Sequence, residues 1–226
     1  MSDLFDFGKY AEHVQSLTME ELQAAEDGAG LATMMGRINT VAETALKLHG
    51  DSDEHIACQA GCGACCVVNV AVLFPELVAI ADFVQTQFER EQQLSLDRRL
   101  ACMTARVAGL NEEERILLRE PCAFLDAAQN CSIYPVRPLI CRSVTSIDVR
   151  HCEEALRLVA FAEERPIFQN IFQKNLLDET FIALAQGLTQ LGFDDRSEQL
   201  TLGMQQLLAS PQQVERFLDR QPVWGD

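Results

Sequence analysis

Cys58-Gln59-Ala60-Gly61-Cys62-Gly63-Ala64-Cys65-Cys66 is the stretch on which the reading of this chain turns. It holds four thiols in nine positions and no large apolar side chain, so burial of its own residues cannot order it. A second group follows, Cys122, Cys131, Cys141 and Cys152, spread over a segment rich in Pro and Arg and poor in periodicity. Eight of the nine cysteines therefore fall in two loops, and only Cys102 lies outside them. Thiolate is a soft ligand that suits zinc or iron-sulfur centres rather than magnesium or calcium, and short spacings such as Cys62 to Cys65 let a loop wrap one ion. Eight thiols suit two four-ligand sites. Adjacent side chains diverge, so Cys65 and Cys66 either serve two sites or hold a bridging position, and spacing alone leaves both open.

Disulfides are the competing use of so many cysteines. The first ten residues already carry Asp3, Asp6 and Lys9 and no apolar run, so no export signal is read there. A cytoplasmic location is expected, where thiols stay reduced and metal is the better explanation. The apolar stretches Val67 to Phe74 and Phe181 to Ala185 are far shorter than the about 20 residues a membrane helix needs. A net charge of −16 with 18 Lys and Arg excludes a nucleic-acid surface, which requires concentrated positive charge. The expected partner is a metal ion, with neither nucleic acid nor membrane, and transfer of the ion to a protein partner is left open.

Around the two loops the pattern is helical. Thr18-Met19-Glu20-Glu21 fits a capping box stapled by Leu17 and Leu22, which predicts a helix opening at Thr18. Leu31, Met34, Met35, Ile38, Val41, Leu46 and Leu48 recur at helical spacing up to a stop at His49-Gly50. Pro75 suits the first turn of a helix running toward Gln92, and another covers Leu96 to Leu110. Asn111 caps a short helix led by Glu112, Glu113 and Glu114. Further helices are predicted over Glu153 to Glu164, Pro166 to Leu177, Glu179 to Leu191, Ser197 to Ala209 and Pro211 to Arg220, the last capped by Ser210. The β-branched runs Val67 to Leu73 and Ser143 to Val149 suggest a small two-stranded ribbon. The fold class is mainly α: a helical bundle with two Cys-rich metal-binding loops. Residues 1–226 read as one domain, with N-terminal helices over 1–50, a cysteine-cluster metal-binding region over 55–155 and C-terminal helices over 156–226.

Cys58-x3-Cys62-x2-Cys65-Cys66, then Pro121-Cys122-Ala123-Phe124-Leu125-Asp126, then Cys131-Ser132-Ile133-Tyr134-Pro135-Val136-Arg137-Pro138-Leu139-Ile140-Cys141-Arg142, resemble the YkgJ-like cysteine-cluster family. The resemblance covers Ala57 to Cys152. It implies a bacterial protein that chelates zinc or iron, with a cluster similar to that of flagellin lysine methylase, and it implies nothing for the flanking helices.

The spacing of Cys58, Cys62 and Cys65 also matches that by which radical S-adenosylmethionine enzymes hold a four-iron cluster. Those enzymes need alternating strands and helices and carry an aromatic residue where this chain has Ala64. No Gly-rich nucleotide loop follows a strand, so no catalytic residue is assigned. The metal ligands are assigned as Cys58, Cys62, Cys65, Cys66, Cys122, Cys131, Cys141 and Cys152, binding zinc or iron, the latter as an ion or an iron-sulfur cluster. The competing roles are a structural or metal-handling protein and an iron-sulfur redox or methylase-like component. His55 and His151 stand next to the ligand positions, where either imidazole can replace a thiolate or hydrogen-bond to one. Arg137, Arg142 and Arg150 can offset thiolate charge, and Tyr134 is expected to pack locally over the second loop. Cys102, inside Leu100 to Val107, reads as a buried structural thiol, while His13 and His49 read as surface or capping residues.

Overall fold

The computed structural model describes residues 5–50, 56–163 and 165–225. Two long helices begin the chain, α1 (Phe7–Ala24) and α2 (Gly28–His49), each opened by an aspartate whose side chain accepts a backbone N–H: Asp6 from Lys9 and Asp27 from Gly30. The helix expected from Thr18 is thus the second half of α1. Thr18 is fully buried and its hydroxyl donates to the Val14 carbonyl at 2.8 Å, an interior use that competes with capping. Gly50 ends α2 as expected, its N–H donating to Leu46 O at 2.8 Å.

Pro75 sits in the first turn of α3 (Phe74–Gln87), followed by α4 (Arg90–Val107) and α5 (Glu112–Leu118). Asn111 caps α5 in a capping box: its side chain accepts from Glu114 N at 3.0 Å while Glu114 accepts from Asn111 N at 2.9 Å. Within the second cysteine segment lie a 3-10 turn (Tyr134–Val136), α6 (Leu139–Ser143) and α7 (Val149–Leu158). The helices expected over Pro166–Leu177 and Glu179–Leu191 are one element, α8 (Ile171–Leu191), capped by Asn170. Nothing between Leu177 and Glu179 breaks a helix, and Lys174 pairs with Asp178 across that junction. The chain ends with α9 (Leu200–Ala209) and α10 (Gln213–Leu218).

A two-stranded ribbon exists, but with a different partner. β1 (Ala71–Val72) pairs antiparallel with β2 (Glu198–Gln199), in register Ala71 with Gln199 and Val72 with Glu198. The expected strand Ser143–Val149 spends its backbone groups elsewhere: Ser146 O accepts from Ala57 N at 2.8 Å and Ile147 N donates to Phe168 O at 3.2 Å.

α1 packs on α8 and α2, α2 on α3, α6 on α8, and both α3 and α4 on α9. The α1–α8 approach is close because Gly187 faces Thr18, where a Cβ would come within 2.8 Å of Thr18 Cγ2. A buried bond of 2.6 Å between Tyr10 Oη and Thr180 Oγ1 fixes the same pair. One apolar cluster runs through Leu31, Ile38, Leu77, Leu100, Leu184 and Met204. Phe74, Phe217 and Trp224 close it at the C-terminal side, ring centroids 4.8 and 5.7 Å from Phe74. Phe124, Ile133 and Leu139 join it from the second cysteine segment, which is how that loop is anchored. Among the described residues no helix is long and apolar enough to cross a membrane.

Candidate metal centre

Residues 56–66 are held by few bonds. Ala57 N donates to Ser146 O at 2.8 Å, Cys62 N to Gln59 O at 3.0 Å and Cys66 N to Gly63 O at 3.0 Å, so the segment is two successive tight turns. Gly61 takes φ +84, a left-handed conformation that costs other residues about 1 kcal/mol. Gln59, Ala60 and Gly61 are exposed between the first two cysteines. The loop's base is stitched to the second cysteine segment where Cys122 N donates to Cys66 O at 2.7 Å.

The second segment is built more firmly. Asp126 accepts from Ala128 N and Asn130 N, each at 2.8 Å, and the N–H from Asn130 foremost holds its carboxyl below the usual range. That turn folds the chain so that Leu125 bridges Cys131, and Ser132 donates to Phe124 O through both N–H and Oγ at 2.8 Å. α6 then carries Cys141. Asp148 caps α7, accepting from Arg150 N at 2.9 Å, and α7 carries Cys152. Cys122 and Cys131 pack against the main core cluster.

All eight assigned cysteines are free thiols, and electrostatic couplings link them into one connected set. Their electrostatic neighbours divide them differently from their order in the chain. Cys58 feels Cys62, Cys65 and Cys152, and Cys152 feels Cys65 and Cys62. Cys66 feels Cys65, Cys122 and Cys141, while Cys141 feels Cys122, Cys65 and Cys131. Cys65 is the common neighbour. Burial raises Cys58, Cys131, Cys141 and Cys152 above the ordinary thiol range, and pushes Cys122 up to about 11. Cys65 moves the other way, because the Cys66 thiol hydrogen-bonds to it and favours its thiolate; the same bond drives Cys66 upward. Among the described residues no group of three or more His, Cys, Asp or Glu side chains is arranged to hold an ion as it stands.

The surroundings of the thiols are cationic. Arg115 is 1% exposed, yet its Nη1 and Nη2 find no hydrogen-bond partner among the described residues, and its charge acts on Cys122. Arg99 also acts on Cys122; it donates from Nη1 to Leu125 O at 2.8 Å while its Nε is buried without a partner. Arg137 acts on Cys65 and Cys131, lies 4.3 Å over the Tyr134 ring, and has a buried Nε without a partner among the described residues. A buried donor lacking an acceptor is rare and costly, and here it calls for an acceptor that the described residues do not supply. Soft thiols ringed by such donors fit a thiolate-bound metal, whose net negative charge those donors would meet.

Of the three arginines expected to offset thiolate charge, Arg137 does so. Arg142 instead bonds to Glu43 Oε1, the Arg137 carbonyl and the Pro135 carbonyl, and Arg150 pairs with Asp148 at the surface. Cys102 is exposed, correcting the expectation of a buried thiol: the inward face of α4 carries Leu96, Leu100, Met103, Thr104 and Val107, and position 102 points away. His151 has a buried Nδ1 without a partner among the described residues, outside which His55 lies, and its ring packs 5.8 Å from Phe168. Tyr134 is 52% exposed beside the second loop. His13 and His49 are exposed on their helices, the latter against Phe5 at 4.9 Å. Arg115, Arg99 and Ser146 were not signalled by the sequence; within Glu112-Glu113-Glu114-Arg115 the arginine has the composition of a solvated helix face.

Residues 57–165 match the family model CxxCxxCC, described as "Putative zinc- or iron-chelating domain". None of the curated proteins and none of the solved structures matches the chain.

Proposed function

Taking as premise that residues 57–165 belong to the CxxCxxCC family, we propose that this protein binds zinc or iron through Cys58, Cys62, Cys65, Cys66, Cys122, Cys131, Cys141 and Cys152. The bound ion clamps the two cysteine segments to each other and to the helical core. The observation that carries this reading is the set of buried guanidinium donors without acceptors among the described residues, on Arg115, Arg99 and Arg137, around those thiols. A metal bound by four thiolates supplies the anionic acceptor they lack, together with a cross-link between loops that have little apolar packing of their own. The role this supports is structural or metal-handling rather than catalytic.

Elemental mass spectrometry and a visible spectrum of anaerobically purified protein test the reading. Stoichiometric zinc without colour, or iron with or without acid-labile sulfide, is expected, and absence of both metals overturns it. Replacing Cys62 or Cys141 by Ser should lower metal content, whereas Cys102→Ser, on the outer face of α4, should leave it unchanged. Equal losses from all three would show that the ligand set is misassigned.

A further inference from the structure

If the chain binds metal through these cysteines, on which the following rests, its sites need not be alike. We infer that the eight thiols form two inequivalent sites: an inner one of Cys66, Cys122, Cys131 and Cys141 that retains its ion as part of the fold, and an outer one of Cys58, Cys62, Cys65 and Cys152 that exchanges it. Each site takes three ligands from one cysteine segment and one from the other, and the Cys65-Cys66 peptide joins them. This division differs from the order of the chain, in which the first four cysteines would make one site and the last four the other.

Three observations separate the sites. The neighbour relations sort the other seven thiols into these two sets, while Cys65 reaches both, hydrogen-bonded to Cys66 and coupled to Cys58 and Cys152. The backbone agrees: Cys66 O is bonded to Cys122 N, so Cys66 belongs with the second segment, while Ala57 N is bonded to Ser146 O, so Cys58 is tied to the chain leading into Cys152. The settings also differ. Cys122 and Cys131 pack on the core cluster, and the partnerless donors of Arg115 and Arg99 lie by Cys122. Besides burial, the strongest influences on Cys58 and Cys152 are Ser146, through its N–H and its hydroxyl, and other thiols. Between Cys58 and Cys62 the chain is exposed at Gln59, Ala60 and Gly61.

These settings predict different retention. A four-thiolate site around a divalent ion carries net charge −2, and the inner site has buried guanidinium groups to offset it. At the outer site Arg137 is the one charged donor among the described residues, and it is shared between Cys65 and the inner Cys131. The remaining donors are neutral, and the loop is exposed at Gln59, Ala60 and Gly61, which makes an ion there reachable by a competing ligand. Compensation by Arg115 and Arg99 and the packing of Cys122 and Cys131 on the core therefore favour retention at the inner site, and the exposed stretch between Cys58 and Cys62 favours release at the outer.

The test is zinc release. Protein refilled anaerobically with zinc is mixed with excess chelator and an indicator dye, and total zinc is measured separately. Two equivalents leaving in two phases are expected. Cys58→Ser and Cys152→Ser should each abolish the fast phase and keep the slow one, and Cys122→Ser should abolish the slow phase. Should Cys122→Ser fail to fold, Arg115→Met reads the same site, speeding the slow phase by about 10–100-fold, the range for losing a group that supports a ligand, with the fast phase unchanged. Release of one equivalent only, release of two in a single phase, or loss of the same phase from Cys58→Ser and Cys122→Ser overturns the division. Less than one equivalent in total overturns the metal-binding reading itself.

Discussion

A guanidinium as buried as that of Arg115, 1% exposed with two nitrogens unpaired, is destabilising unless an anion meets it. Burial pulls its pKa below the ordinary arginine range, and the charge of Cys122 is the first of the influences that restore it. Arg115→Met should therefore have opposite effects in two states of the protein. With metal bound it removes a charge-assisted partner of the cluster and should cost about 1.5–3 kcal/mol. Without metal it removes a stranded charge and should stabilise. Calorimetry on both proteins with and without chelator measures the two differences, and equal destabilisation in both states would refute the assignment. At this scale the sequence was legible where chemistry is rare: cysteines clustered in Gly and Pro segments have few other uses. It was opaque where chemistry is common. Nothing local distinguishes Arg115 from a surface arginine, because its burial depends on where α5 packs, against residues 159–161, a relation between segments.

Glu76 shows how one element braces another. It is 3% exposed in the first turn of α3 and accepts from its own cap, Leu73 N, and from Leu139 N at the start of α6, each at 2.9 Å. Cys141 is thereby placed from α3. Burial raises the Glu76 carboxyl to about 7, opposed by those two N–H groups and by Arg142. Because the folded value exceeds the ordinary 4.5, the folded state binds the extra proton between them, and stability from this group falls as pH rises from 4.5 to about 7. Glu76→Gln should remove that slope. It should also cost about 1–3 kcal/mol, since an amide offers one acceptor to two donors. Urea unfolding of both proteins at pH 5 and pH 8 gives the comparison, and an unchanged slope would show that Glu76 does not carry it. Elements with local signals were the readable ones: Gly50 ends α2, Pro75 opens α3 and Asn111 caps α5. The partner of β1 was not readable, because Glu198 and Gln199 carry no strand preference and pair only through tertiary placement.

The whole molecule combines a helical core closed by its own apolar side chains with a cysteine region that, on the proposed reading, is closed by metal. α1, α2, α3, α8 and α9 share one apolar cluster, whereas residues 56–66 contribute little to it. The net charge of −16 favours encounter with cations in general, and the arginines at the thiols are placed to offset the charge that ligation would leave. Metal removal should therefore act locally first. Chelation should raise hydrogen exchange over 57–66 and 121–152 while α1, α2 and α8 keep their protection, because an element's resistance to opening follows the apolar contacts it would lose. The thermal transition should also fall, since Phe124, Ile133 and Leu139 tie the second segment to the shared core and loosening it exposes part of that cluster. Exchange measured by mass spectrometry before and after chelation distinguishes this from two other behaviours. Uniform loss of protection would mean that the helices also require the metal, and an unchanged pattern with an unchanged thermal transition would mean that the loops are ordered without it.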